Sequence, residues 1–580
     1  IGSTATVFTG GVIANSPSSV ILEGGQISAG GSAGITLGET NGIAVTGSTT
    51  VGGTTTGTIS LGDALLSHGV TLTVGAGIAN TINLDAVTGT AGGADSNLTI
   101  DTTGVVTVDE AVGTDIGTIL VTKTGGLTFN NTVNAVTVTL ADTTGTITFS
   151  GALTVTGTLD AQVNGYDVVI DGGGTITDAC TFSNTGTLTI GSSGMTFTNG
   201  VTATAPSAVS LAGSILSTNS NMSFAATTLS ATTIINSNTG GGTITFSSTL
   251  NGTSAHDEDL TITAGTGHVL FSGIVGGGTA PGDISIVSAT NVTANLAFIA
   301  KSVTQDAGAG DTLFTGAVNT TGETGVAGGD IDITTNGNID FVSTITTTGG
   351  ANEGAAGFDG GDVILKSDTA GRVDLDGTVT TTGSAAAGNG AGGTGGAVTI
   401  TADAGNVNVA AITTTGGAGA GSGNGGNAGA VAATITLSTA NTITLEGTVT
   451  TTGGAGAATG TGGNVTLDAN TGLIDTNDQI ITMSDGALTC TSDTIDFGTA
   501  DDKIITTGAI ILQPTTVDQS IGIGGGTGAF AVSDDVIEAI QNGSSSITIG
   551  RSNGTHDITI LGIDFYDPVV IQTPSGGSIA

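Results

Sequence analysis

Catalytic and metal chemistry needs histidines, carboxylates or thiols held close together, and only one stretch of this chain is dense in them: His256-Asp257-Glu258-Asp259. A histidine beside carboxylates suits acid–base catalysis or metal binding. The same residues also make an ordinary solvated turn ahead of Leu260-Thr261-Ile262-Thr263, and that reading is preferred. His68, His268 and His556 stand alone along the chain. A second candidate is the pair Asp330 and Asp362, which hold the same place in successive Gly-Asp-β repeats. Stacked carboxylates repel unless screened or bridged by a hard cation, so Ca²⁺ is the one cofactor suggested here, against solvated acids. Asp340, Asp374 and Asp376 fall in the same region, but Ala397 and Asn464 take the equivalent position later, so any ladder is short. A third candidate is an exposed threonine array: Thr346 and Thr348, Thr380 and Thr382, Thr413 and Thr415, Thr450 and Thr452, with Asn319 and Thr321 at one end. Such arrays serve ice-binding solenoids, yet outward threonines support any sheet through their β-propensity, which is the stronger reading.

These residues sit in a repeat. An apolar residue, a Thr-rich triplet and Gly recur at Val318, Ile345, Val379, Ile412 and Val449, in steps of 27, 34, 33 and 37 residues. Gly/Ala-rich stretches of variable length follow, then a second strand such as Gly361-Asp-Val-Ile-Leu365, then a third such as Arg372-Val-Asp-Leu375. Alternating apolar and polar residues give each strand one buried face. Three short strands cannot bury that face alone; stacked on the next repeat they can. The expectation is an all-β, right-handed parallel β-helix (β-solenoid), one continuous rod with nearly no α-helix. It runs from irregular coils over 1–315, through repeats of about 33 residues with Gly-rich loops over 316–470, to C-terminal coils over 471–580. Ile345, Val379, Ile412 and Val449 form an interior ladder, and Gly416–Gly429 is an exposed loop. A β-sandwich array would have larger units and more aromatics.

Composition narrows the function. The 580 residues include 103 Gly, no Trp, two Tyr, six Lys+Arg and 47 Asp+Glu, a net charge of −41. Disorder is disfavoured by a mean hydropathy of +0.34 and by period-2 Val, Ile and Thr. No basic footprint exists for nucleic acid. No apolar run is long enough for a transmembrane helix, and the aromatic girdles of an outer-membrane barrel are missing. Cys180 and Cys490 are read as small buried residues that do not pair. The chain opens on Ile1 without a signal peptide, which suggests a processed or internal segment. Asn-x-Ser/Thr sites, as at Asn97 and Asn221, are as frequent as chance allows in so Thr-rich a chain.

At the C-terminal end, Ser545-Ser-Ile-Thr-Ile-Gly-Arg-Ser-Asn-Gly554 and Phe565-Tyr-Asp-Pro-Val-Val-Ile-Gln-Thr-Pro-Ser-Gly-Gly-Ser-Ile579 resemble a module of filamentous-haemagglutinin-like (haemagglutinin-repeat) giant bacterial exoproteins. Gly242–Gly278 and Ile284–Val292 resemble their upstream repeats. The resemblance implies a secreted right-handed β-helix, surface-bound or released. No secretion domain of that family is recognisable.

The function expected is therefore an extracellular scaffold or stalk at a bacterial cell surface, assembling with itself end to end or laterally. The alternative is an adhesin contacting surface polymers or other cells. A polysaccharide-degrading β-helix is third, disfavoured by scattered cations and few aromatics, so no enzymatic activity and no catalytic residue are expected.

Overall fold

The computed structural model describes every residue except 15–17, 39, 307, 353, 355, 370, 437–440 and 575; Ser575 of the C-terminal motif thus lies outside the described residues. The chain is an all-β parallel solenoid of about 24 turns, and among the described residues its one helix is Asp534–Glu538. It divides into two compact units, Ile1–Leu270 and Phe271–Ala580.

In the first unit most coils carry three short strands, for example Gly25–Ala29, Ile35–Leu37 and Ile43–Val45, while Ala208–Leu216 and Thr227–Asn236 each run through two of the three positions. Their side chains alternate between core and surface, because successive residues of a strand point to opposite faces. Equivalent residues then stack in register from coil to coil. One column reads Ile35, Ile59, Ile82, Val106, Leu127, Ile147, Val168, Leu188. The spacing shortens along it, from 24 residues between Ile35 and Ile59 to 20 between Val168 and Leu188. Where the column beside it meets two phenylalanines, Phe129 and Phe149 stack at 5.1 Å and 8°.

The second unit keeps the three-sided core and adds a layer. Ile345, Val379, Ile412 and Val449 pair in register, all at most 1 % exposed, and the column continues to Ile481 and Ile504. The middle threonine of each triplet points inward as well: Thr347, Thr381, Thr414 and Thr451 have no solvent exposure. Each closes the Gly-rich excursion that follows it. Thr381 Oγ1 donates to the Gly396 carbonyl at 2.6 Å, while the Gly396 amide donates back to the Thr381 carbonyl at 2.7 Å. The same two-way clasp joins Thr347 to Gly361, Thr414 to Gly429 and Thr451 to Gly463.

Between clasp ends the glycine segments were expected to leave the stack as exposed loops. Their tips do, as at Gly421, Ser422 and Asn424, but Gly417, Gly426 and Gly429 are buried. The physical reason is a second hydrogen-bonded stack without strand character. Gly417 N–H donates to Gly393 C=O at 2.8 Å, and Gly454 N–H to Gly426 C=O at 2.8 Å. Within one excursion, Gly426 N–H donates to Gly417 C=O at 2.9 Å. A Cβ on Gly393 would run into the Phe358 carbonyl, and one on Gly426 into that of Gly393. Glycine is demanded there by close approach of backbones.

Residues 515–562 interrupt the pattern, apart from Ser546–Ile549, which stacks in register on Ala509–Gln513. Ile521–Gly524 pairs with Phe530–Val532 on one side and Ile558–Leu561 on the other, all parallel, as a separate three-stranded sheet. Ser533 caps the helix Asp534–Glu538, and the amides of Lys503 and Ile504 bind the Ala539 carbonyl, fastening it to the solenoid. Among the described residues no helix is long and apolar enough to cross a membrane.

Candidate functional site

The residues singled out from the sequence are placed as follows. At His256 the backbone is left-handed, with φ 56°. Glu258 folds back into its own turn: its carboxylate accepts from the Thr253 amide at 3.0 Å, the Ser254 amide at 3.0 Å and the Thr253 hydroxyl. Burial would raise its pKa, but these hydrogen bonds outweigh that and hold the carboxyl below its usual range. Glu258 therefore acts as a loop clasp.

Asp330 and Asp362 lie one above the other, as the repeat implies. Asp330 Oδ1 accepts from the Asp362 amide at 2.8 Å, and Asp362 Oδ1 from the Ala397 amide at 2.7 Å. This is a general device: Asp311, Asn338, Asn406, Asp359, Asn427 and Asn464 each accept a backbone amide from the coil that follows. Among the described residues no three His, Cys, Asp or Glu side chains are grouped so as to hold a metal ion. Asp340 and Asp374 stack directly, and Arg372 reaches both, at 2.9 Å and 3.2 Å. Burial still raises the Asp340 carboxyl; Asp374 and Asp311 add to this and Arg372 opposes it.

The outward threonines form a half-buried column, Thr346, Thr380, Thr413 and Thr450, paired in register. Thr348, Thr382, Thr415 and Thr452 are half-buried beside them, and the Thr321 and Thr348 hydroxyls meet at 3.1 Å. Cys180 and Cys490 are buried and free, and burial raises both thiols.

One site was not apparent from the sequence. A cleft of about 480 Å³ lies where the solenoid strand Leu488–Asp496 faces Phe530–Val532 and the helix. Leu473, Ile495 and Val536 line it, together with Asp493, Asp496 and Asp535. Asp496 Oδ1 is engaged by the Gly498 amide at 2.8 Å, whereas Asp493 Oδ1 is sealed from solvent without a hydrogen-bond partner. On the helix's other flank Asp534, Glu538 and Asp564 line a smaller hollow with the exposed Tyr566. The ion pairs among the described residues engage Lys123, Lys301, Lys366 and Arg372, none of which lines the cleft. No signal marked this site, because one wall is ordinary solenoid strand and the other, 529–536, comes from a segment that diverges from the repeat.

No protein-family model, curated protein or solved structure matches this chain.

Proposed function

We propose that this protein is a structural or adhesin-like β-solenoid, and in particular an extracellular scaffold of the filamentous-haemagglutinin-like kind. The observation that carries the reading is how the polar side chains are used. Asp and Asn at the corners accept amides of the following coil, and interior threonines clasp glycine segments. Side chains committed to holding backbone together serve extension and stiffness rather than turnover; a catalyst needs converging groups left over for substrate. A solenoid also gains length cheaply, since each added coil needs only its neighbours for stability. On this reading the chain is secreted, has no catalytic activity, and acts by contact with copies of itself or with surface polymers.

The test is imaging of purified protein by negative stain, with a panel of acidic and neutral polysaccharides incubated in parallel. Elongated particles or filaments and no cleaved polymer are expected. Cleavage abolished by Glu258→Gln or His256→Ala would overturn the reading, as would globular particles.

A further inference from the structure

We propose that Asn164-Gly165 is a self-modification site, where the folded chain promotes deamidation of the asparagine through a succinimide to aspartate and isoaspartate. This chemistry is independent of the scaffold reading. It needs a side-chain amide carbon beside the backbone nitrogen of the next residue, and a nitrogen not committed to another acceptor. Asn-Gly recurs along the chain, since tight corners favour both residues. After Asn41, Asn199, Asn336, Asn424 and Asn553 the glycine amide donates to the carbonyl of another residue, and after Asn542 it donates to the Asp567 carboxylate. Those nitrogens are tied into the fold. The Gly165 amide instead donates to Oδ1 of Asn164 itself, at 3.0 Å. The same contact occurs at Asn131 and Asn238, at 2.8 and 2.7 Å, but there the nitrogen belongs to Thr132 and Thr239, whose branched Cβ crowds an attack. Gly165 has no Cβ, is exposed, and a Cβ built on it would meet nothing within 4 Å. The close contact and the unhindered nitrogen coincide at Asn164.

The turn that carries them lies between the strands Leu159–Ala161 and Val168–Ile170. Asn164 Nδ2 donates to Asp142 Oδ1 at 2.9 Å, so the amide is oriented from both ends, its oxygen to Gly165 and its nitrogen to the carboxylate. A base from solvent takes the Gly165 amide proton, and the nitrogen adds to Asn164 Cγ. The new C–N bond closes the ring, the Cγ–Nδ2 bond breaks, and the nitrogen leaves as ammonia with a proton from water. Water then opens the ring. Attack at Cγ gives aspartate; attack at the main-chain carbonyl gives isoaspartate. Either product removes the donor that Asp142 had and sets a further negative charge near it. Isoaspartate also adds a methylene to the main chain and takes out of it the Asn164 carbonyl that receives the Thr185 amide at 2.8 Å from the next coil.

The experiment incubates the whole chain at mildly alkaline pH, folded and in urea, and follows each asparagine by peptide mapping and by enzymatic methylation of isoaspartate. In the folded chain Asn164 should convert at least roughly tenfold faster than Asn199, Asn424 or Asn131, because only there is a glycine nitrogen held at near-attack distance. In urea Asn164, Asn199 and Asn424 should converge, since the dipeptide alone then sets the rate. Gly165→Ala should slow conversion several-fold without lowering the thermal midpoint. The inference is overturned if folded Asn164 converts no faster than Asn199 and Asn424, if folding suppresses its conversion as much as theirs, or if Gly165→Ala converts as fast as the parent.

Discussion

A threonine's place in its triplet decides its use. The outer two hydroxyls of Thr380-Thr381-Thr382 face outward and the middle one is locked inside. Thr381→Val keeps the shape and leaves the Gly396 carbonyl without its donor, so it should cost about 1–3 kcal/mol in urea unfolding. Thr380→Val, on the outer face, should stay within about 0.5 kcal/mol. Equal costs would show that the clasp adds nothing. Glu258 gives a pH signature. Its folded carboxyl sits below the ordinary value of about 4.3, so its contribution is present above that pH and is lost as pH falls through the folded value. Glu258→Gln should therefore destabilise near neutrality, and the gap in thermal midpoint between the two proteins should close in acid. The inward and outward positions of Ile345 and Thr346 could be read from alternation alone. The inward turn of Thr347 follows from the same alternation, but what its hydroxyl binds depends on where a glycine segment of variable length returns, and local pattern does not encode that.

Among the elements, the strands were legible and the glycine segments were not. Gly, Ala and Ser carry no period, so nothing in 416–429 distinguishes slack chain from chain stacked on its neighbours. Backbone hydrogen bonding between equivalent excursions makes the difference. Hydrogen exchange checks it: the amides of Gly417, Gly426 and Gly454 should be protected far beyond those of an open loop. Gly426→Ala, whose Cβ would enter the space of the Gly393 carbonyl, should abolish protection across the adjoining excursions. Gly165→Ala, where a Cβ meets nothing within 4 Å, should leave exchange unchanged. The cleft was illegible for a related reason. Asp493 lies within a long strand, and the helix opposite it is five residues in an insertion that breaks the repeat.

At the scale of the whole molecule the governing quantity is charge. With 47 Asp+Glu against six Lys+Arg, a net −41, repulsion among the carboxylates is largely uncompensated, and screening should relieve it. Thermal midpoints should therefore rise steadily with NaCl. CaCl₂ at matched ionic strength should add nothing more, because Asp330 and Asp362 already give an oxygen to an amide; an extra rise specific to calcium, lost in Asp330→Asn, would count against this. The clasped excursions carry a further consequence, for inheritance. Thr347 to Gly361, Thr381 to Gly396 and Thr414 to Gly429 span 14, 15 and 15 positions, with shorter spans of 9 and 12 at Thr320 and Thr451 on either side. Neighbours of unequal span still stack, so a codon gained or lost at an exposed tip such as Gly421–Ser422 is absorbed there, whereas one at a buried glycine such as Gly426 displaces a backbone contact. Duplication or deletion of a whole repeat keeps every partner. Genes for chains built this way should vary in copy number of complete repeats, and in the glycine-rich tracts, whose composition invites slippage during replication, changes of length should gather at the exposed tips.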